Sequence, residues 1–236
     1  IDGQLGNSTK IDSSVPVTVS TFTGGATAVS ITAGAFHTCA VLNTGAVNCW
    51  GRNSDGRLGN GSTDNSLVPV AVDPFTGGVT AVSITAGDYH TCALLNTGAV
   101  NCWGYNSDGQ LGNNTTTDSL VPVAVDPFAV GSATAVSITA AGYHTCALLN
   151  TGAVNCWGNN FDGQLGNGTT TDSSAPVAVD PFTGGVTAVS ITAGNLHTCA
   201  VLNTGAVNCW GSNSDGQLGN NSTTDSSAPV AVNAIT

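Results

Sequence analysis

The side chains able to do chemistry recur as one motif, His-Thr-Cys with Cys-Trp-Gly beginning ten residues beyond the cysteine, at four places in a chain of 236 residues. The cysteine pairs are Cys39 and Cys49, Cys92 and Cys102, Cys146 and Cys156, and Cys199 and Cys209, each with nine residues between its members. Such pairs can bridge, ligate zinc or remain free thiols. Zinc ligands usually arrive roughly two to four residues apart, a spacing missing here, and free thiols would suit a reducing compartment. Bridging fits the intervening residues: Asn43, Thr44 and Gly45 suit a three-residue hairpin loop with glycine at its left-handed position. Folding about Thr44 pairs Val41 with Val47, Ala40 with Asn48 and Cys39 with Cys49. Counting outward from a hydrogen-bonded closing pair puts the cysteines on a non-hydrogen-bonded pair, with Cα atoms about 4.5 Å apart, where a disulfide is geometrically possible. Each bridge is worth about 2.5 to 3 kcal/mol in the chain-entropy model, and the set argues for an oxidising location.

The imidazoles are His37, His90, His144 and His197, all in the same framework position. A structural hydrogen-bonding role is the expectation; a cluster holding a metal is the alternative if four blades closed into a ring. No Ser/His/Asp set stands out, because each candidate would occur in every repeat, whereas active sites sit where repeats differ. Asn53, Asp55 and Asn60 in NSDGRLGN invite a calcium reading, but alternating acidic ligands and a terminal bidentate Glu are missing. A tight turn, with Asn and Asp side chains bonding local backbone, is the simpler account. We therefore expect no cofactor, no metal and no catalytic residue. Every repeat also places an Asn-x-Ser/Thr sequon in this loop: Asn7, Asn60, Asn113 or Asn114, Asn167, and Asn220 or Asn221. These are either glycan acceptors on exposed loops or a by-product of abundant Asn and Thr.

The elements that carry these residues repeat as well. AVSITAG, rich in β-branched residues, precedes the hairpin, and a strand containing Pro-Val follows it, so each unit reads as a four-stranded meander. Pro16, Pro69, Pro122, Pro176 and Pro229 cannot donate to a ladder, which puts that last strand at an outer edge. Four-stranded units repeated at 53 or 54 residues point to a β-propeller. The DGxLGN segment occurs five times, from Asp2, Asp55, Asp108, Asp162 and Asp215. The expected organisation is thus an N-terminal half-blade over 1–23 and blades over 24–76, 77–129, 130–183 and 184–236. The chain opens in the middle of a repeat, as expected of a processed product or an excerpt of a longer array.

All 14 acidic residues are Asp, and Lys10, Arg52 and Arg57 are the only Lys or Arg, for a net charge of -11. Nucleic acid is excluded as a partner, since phosphate binding needs clustered cations. Anionic membrane surfaces are disfavoured for the same reason, and no apolar run reaches the roughly 20 residues of a spanning helix, so no membrane insertion is expected.

The combination GxxHTCAL, CWG, NxxGQLG and PV resembles the RCC1-type repeat, particularly the cysteine-bearing version of secreted bacterial proteins, over essentially the whole chain. The resemblance implies an all-β fold of blades around a central axis, commonly seven per ring. Four whole blades and a half then form a section of a larger ring, a smaller ring or an open arc. Exchange factors of this family need a basic nucleosome-contacting region, which three cations do not supply, and its plant ultraviolet receptors cluster extra tryptophans beside arginines. Here Trp50, Trp103, Trp157 and Trp210 occupy one equivalent position per repeat and read as packing residues.

The resulting expectation is a non-enzymatic, extracellular or cell-surface protein that works by assembly. Val15, Pro16, Val17 and Val19 form a fourth strand whose first three strands are missing, and this edge could couple modules by self-association into a fibre. The alternative is a discrete secreted propeller gripping a protein or glycan partner through its variable rim: Phe36, Tyr89, Tyr143 and Leu196 before His-Thr, with Arg52 and Tyr105 after CWG.

Overall fold

The hairpin closes as the turn chemistry demands: Leu42 N–H donates to the Ala46 carbonyl at 2.8 Å and Gly45 N–H to the Leu42 carbonyl at 2.8 Å. Gly45 sits at φ +79°, and a Cβ there would lie 2.5 Å from Thr80 Cβ, so two separate constraints select glycine. The turn sets the register Val41 with Val47, Ala40 with Asn48 and Cys39 with Cys49. Four disulfides form, each with Cα atoms 4.1 Å apart.

The computed structural model describes residues 2–128 and 133–233. Around each hairpin it builds an antiparallel four-stranded sheet in chain order. Blade 1 holds β1 (Ala28–Ala33), β2 (His37–Leu42), β3 (Val47–Gly51) and β4 (Ser66–Ala71). Blade 2 holds β5 (Ala81–Ala86), β6 (His90–Leu95), β7 (Val100–Gly104) and β8 (Ser119–Ala124). Blade 3 holds β9 (Ala135–Ala140), β10 (His144–Leu149), β11 (Val154–Gly158) and β12 (Ser173–Ala178). Blade 4 holds β13 (Ala188–Ala193), β14 (His197–Leu202), β15 (Val207–Gly211) and β16 (Ser226–Ala231). Among the described residues the only helical segments are single 3-10 turns at Thr23–Gly25 and Thr76–Gly78. The middle strands are the most buried, while each fourth strand, with its proline, pairs on one side only and through an irregular ladder.

By packing, the described residues form two compact units. Unit 1 contains blades 1 and 2, and unit 2 contains blades 3 and 4 together with the loop Asp108–Thr116. That loop lies in the second repeat of the sequence, so packing and repeat boundaries do not coincide. The boundary expected between 129 and 130 lies outside the described residues, as do the chain ends at residue 1 and 234–236.

The reason is the joint between consecutive blades. In unit 1 the Arg57 carbonyl, in the DGxLG loop after β3, accepts Trp103 Nε1–H at 2.9 Å and Thr91 Oγ1–H at 2.8 Å from blade 2. In unit 2 the Gln110 carbonyl serves Trp157 and Thr145 of blade 3, and the Gln164 carbonyl serves Trp210 and Thr198 of blade 4. The N-terminal segment does the same for blade 1, where the Gln4 carbonyl accepts from Trp50 at 2.8 Å and Thr38 at 3.0 Å. Each loop thus seats on the next blade's tryptophan, and all four tryptophans are buried.

The fourth strand expected at Val15, Pro16, Val17 and Val19 is not formed: residues 15–19 carry no ladder, and Val15 is 66% exposed. A lone strand has no third strand to take its backbone hydrogen bonds. Its opening is nevertheless shaped like the others. Ser13 Oγ donates to the Val15 carbonyl at 2.7 Å, as Ser66 does to Val68 and Ser226 to Ala228.

Candidate functional site

His37 and His144 are held by structural hydrogen bonds. His37 Nε2 lies 2.7 Å from Thr91 Oγ1 in the next blade, and Thr91 spends its hydroxyl proton on the Arg57 carbonyl. His37 must therefore donate from Nε2–H, as a neutral imidazole. Burial first, then Arg57 and His90, push His37 down to about 3; burial and Arg57 bring His90 to about 3. In unit 2, His144 Nε2 meets Thr198 Oγ1 at 2.8 Å. Among the described residues no three His, Cys, Asp or Glu side chains converge as a metal site, and the disulfides occupy every cysteine thiol of the chain.

The loop asparagines are also spoken for. Asn53 is buried; its Oδ1 accepts Leu58 N–H at 2.8 Å and its Nδ2–H donates to the Ser62 carbonyl at 2.8 Å. Asn60 Oδ1 accepts from Asn53 at 3.3 Å, and Asp55 pairs with Arg57. In the sequons, Asn7 and Asn167 accept both the N–H and the hydroxyl of the threonine two residues on. Asn113 accepts the Thr115 hydroxyl and Asn220 the Ser222 N–H. Asn114 and Asn221 stand exposed at φ +58° and +60°, the left-handed turn position that Ser8, Gly61 and Gly168 fill in the other repeats.

In unit 1, side chains at positions that differ between repeats gather at one end. The β1–β2 turn and the loop after β3 lie at the same end of a meander, so residues from both can meet. Phe36 and Tyr89 have ring centroids 6.0 Å apart at an interplanar angle of 42°, and Tyr89 and Tyr105 are 5.9 Å apart. The Arg52 guanidinium lies over the Phe36 ring at 5.4 Å. All four side chains are half-buried. Beneath them Arg57 reaches the Tyr89 ring at 5.2 Å and the Phe36 ring at 5.9 Å. It donates from Nη1 to the Asp88 carbonyl at 2.9 Å and pairs with Asp55. Burial lowers the Arg57 pKa, with Asp55 acting against that shift. A guanidinium so held stiffens the aromatic surface above it.

Of the expected rim residues, the structure thus brings Phe36, Tyr89, Tyr105 and Arg52 together. Tyr143 and Leu196 take the equivalent turn positions in unit 2 and are half-buried. Two residues escaped the sequence reading. Arg57 stands where other repeats have Gln4, Gln110, Gln164 and Gln217, and Phe161, 80% exposed, stands where the other three whole repeats have Ser54, Ser107 and Ser214. Both are departures from the repeat, the signal that singled out the other rim residues.

Sheets of this form and order, joined loop to tryptophan, are the blades of an all-β propeller. The model of the RCC1-like domain matches residues 1–236, and the chain belongs to that family. It is 34% identical over 234 residues to the ultraviolet-B receptor UVR8 of Arabidopsis thaliana, covering 99% of this chain and 52% of the receptor. It is 28% identical over 235 residues to the human E3 ubiquitin-protein ligase HERC2, covering 99% of this chain but 5% of the ligase. The chain therefore spans about half or less of these relatives. Among solved structures, human WBSCR16 superposes with a TM-score of 0.78 at 26% identity, over 90% of this chain and 54% of that one. Yeast Prp20p superposes at 0.79 with 20% identity, over 93% and 53%, and shows the fold alone.

Proposed function

We infer that this chain is a non-catalytic protein-interaction module that contacts its partner through the aromatic and arginine surface of unit 1. One observation carries the reading: on a scaffold of nearly identical repeats, Phe36, Tyr105 and Arg52, each found in one repeat alone, meet Tyr89 at a turn position that varies between repeats. Aromatic residues and arginine are the types that dominate binding energy at interfaces. Relatives of this fold have protein partners: yeast RCC1 (Prp20) is bound to Kap60, and Prp20p binds Gsp1p and histones. The test is a photoreactive residue placed at position 105 in the native host. The crosslinked partner's affinity is then measured for the intact chain and for Phe36→Ala, Tyr89→Ala and Tyr105→Ala combined. A loss of at least about tenfold is expected; absence of a specific crosslink, or an unchanged affinity, would overturn the reading.

A second reading, assembly through the N-terminal segment, is favoured by the exposed residues 13–19, which open with the fourth-strand serine turn yet have no ladder. Added to the sheet edge of a neighbouring copy and repeated head to tail, they would give a fibre. Electron microscopy of non-reduced protein tests it, and uniform single particles at high concentration would end it. Under either reading the four disulfides support an extracellular or cell-surface location. A glycan partner, and glycans at the sequons, belong to the same proposal; an unchanged mass after deglycosylation would remove the latter.

A further inference from the structure

The opposite end of each unit carries a repeated feature that the interface above does not use. In unit 1 the hairpin tip after β2 and the linker after β4 enclose a cavity of about 310 Å³, lined by Val47, Val72, Pro74, Phe75, Val79 and Asp73 among others. In unit 2 the same elements enclose about 360 Å³, with Val154, Val179, Pro181, Phe182, Val186 and Asp180 in the equivalent places. The walls are fixed by the joint. Phe75 is buried with its ring 6.3 Å from Trp103, Phe182 stands 6.3 Å from Trp210, and Ala81 N–H donates to the Gly45 carbonyl at 3.0 Å.

Size and charge together define the occupant. These volumes lie at the low end for ligand sites and fit one aliphatic side chain better than a cofactor. The two linkers share the sequence VDPFTGGVT, whose only charged residue is Asp73 or Asp180. Neither hairpin tip carries a charge, Arg52 and Arg57 are held at the other end of unit 1, and among the described residues neither Lys10 nor any other cation forms an ion pair with Asp73 or Asp180. The complement to an apolar recess beside an unopposed carboxylate is an aliphatic side chain beside a cation. We propose that the two cavities are a duplicated peptide subsite, each taking one aliphatic side chain of a partner segment whose adjacent Lys or Arg pairs with Asp73 or Asp180.

The test is a titration of the full, disulfide-intact chain with a capped Gly-Leu-Lys-Gly peptide, followed by NMR and calorimetry. Binding at both cavities is expected, with shifts at Gly45 and Thr80 in unit 1 and at Gly152 and Thr187 in unit 2. Replacing the peptide's Leu by Gly should abolish binding, and replacing its Lys by Glu should weaken it. Asp73→Asn with Asp180→Asn, at half-exposed positions, should weaken it about two- to fivefold. Val79→Phe with Val186→Phe should block it, once an unchanged circular dichroism spectrum shows that the variant folds. Phe36→Ala with Tyr89→Ala should leave it unaltered, which separates this site from the interface at the other end. No binding, binding indifferent to the aspartates and to the peptide's charge, or equally tight binding of octylamine would overturn the proposal.

Discussion

Thr91 shows how one hydroxyl joins two blades: it accepts from His37 and donates to the Arg57 carbonyl, with the whole relay buried. Thr91→Val leaves His37 Nε2–H without an acceptor, and a loss of about 1 to 3 kcal/mol is expected, read as a shift of the urea midpoint. The same relay sets a pH dependence. In the unfolded chain histidine binds a proton below roughly pH 6.5, whereas folded His37 and His90 resist protonation to about 3. The unfolded state therefore binds more protons throughout that window, and stability falls as pH drops from 6.5 towards 3. Burial raises Asp88, Asp108 and Asp162, which acts in the opposite sense, from their folded values down to the usual carboxylate range. Urea midpoints across the window should fall with acidification and do so less steeply for His37→Gln; a flat profile would contradict the neutral, buried assignment. The structural role of the histidine was legible from its framework position. Its partner was not, because Thr91 lies 54 residues away and nearly identical repeats do not say which copy's threonine is met.

Among elements, the stapled hairpin was the most legible, since register follows from loop length and the glycine position alone. The same tip shows what local reading omits. Gly45 and Gly205 hold the same turn position at φ +79° and +85°, but a Cβ at Gly45 would strike Thr80, while at Gly205 nothing lies within 4 Å. The left-handed backbone alone costs a side chain roughly 1 to 2 kcal/mol, so Gly205→Ala should lose about that much. Gly45→Ala should lose about twice as much, because the linker before β5 must also shift. Denaturation midpoints of the two variants check this, and equal losses would remove Thr80 as the second constraint. Breaking one staple, as Cys92→Ser with Cys102→Ser, should cost about 2.5 to 3 kcal/mol by loop entropy, measured the same way. The N-terminal segment marks the limit of element-level reading. Val15-Pro16-Val17 has a strand's composition, but a strand exists only where a neighbour takes its hydrogen bonds, and composition does not supply the neighbour.

For the whole molecule, the repeats separate what holds the chain together from what makes it particular. The backbone of Gln4, Arg57, Gln110 and Gln164 makes the same two hydrogen bonds at each joint, so the side chain at this position is free to differ without loss of the joint. Arg57 uses that freedom to fill the base of the aromatic surface. Arg57→Gln returns this repeat to the residue its neighbours carry, where Gln stands two residues after an Asp in every copy, and Asp55, 27% exposed, keeps its access to water once the pair is gone. Loss of a partly exposed pair costs little, so the variant should unfold within about 1 kcal/mol of the intact chain. Phe36 and Tyr89 would meanwhile lose the cation that both rings face. Affinity for the crosslinked partner should then fall at least several-fold, because the rings lose the guanidinium that holds them in place before binding. Thermal unfolding and partner affinity, measured on the same preparation, decide between two accounts. A stable variant that binds poorly means that the departures from the repeat carry recognition, whereas an unstable variant that still binds would make Arg57 a structural residue and move the interface elsewhere.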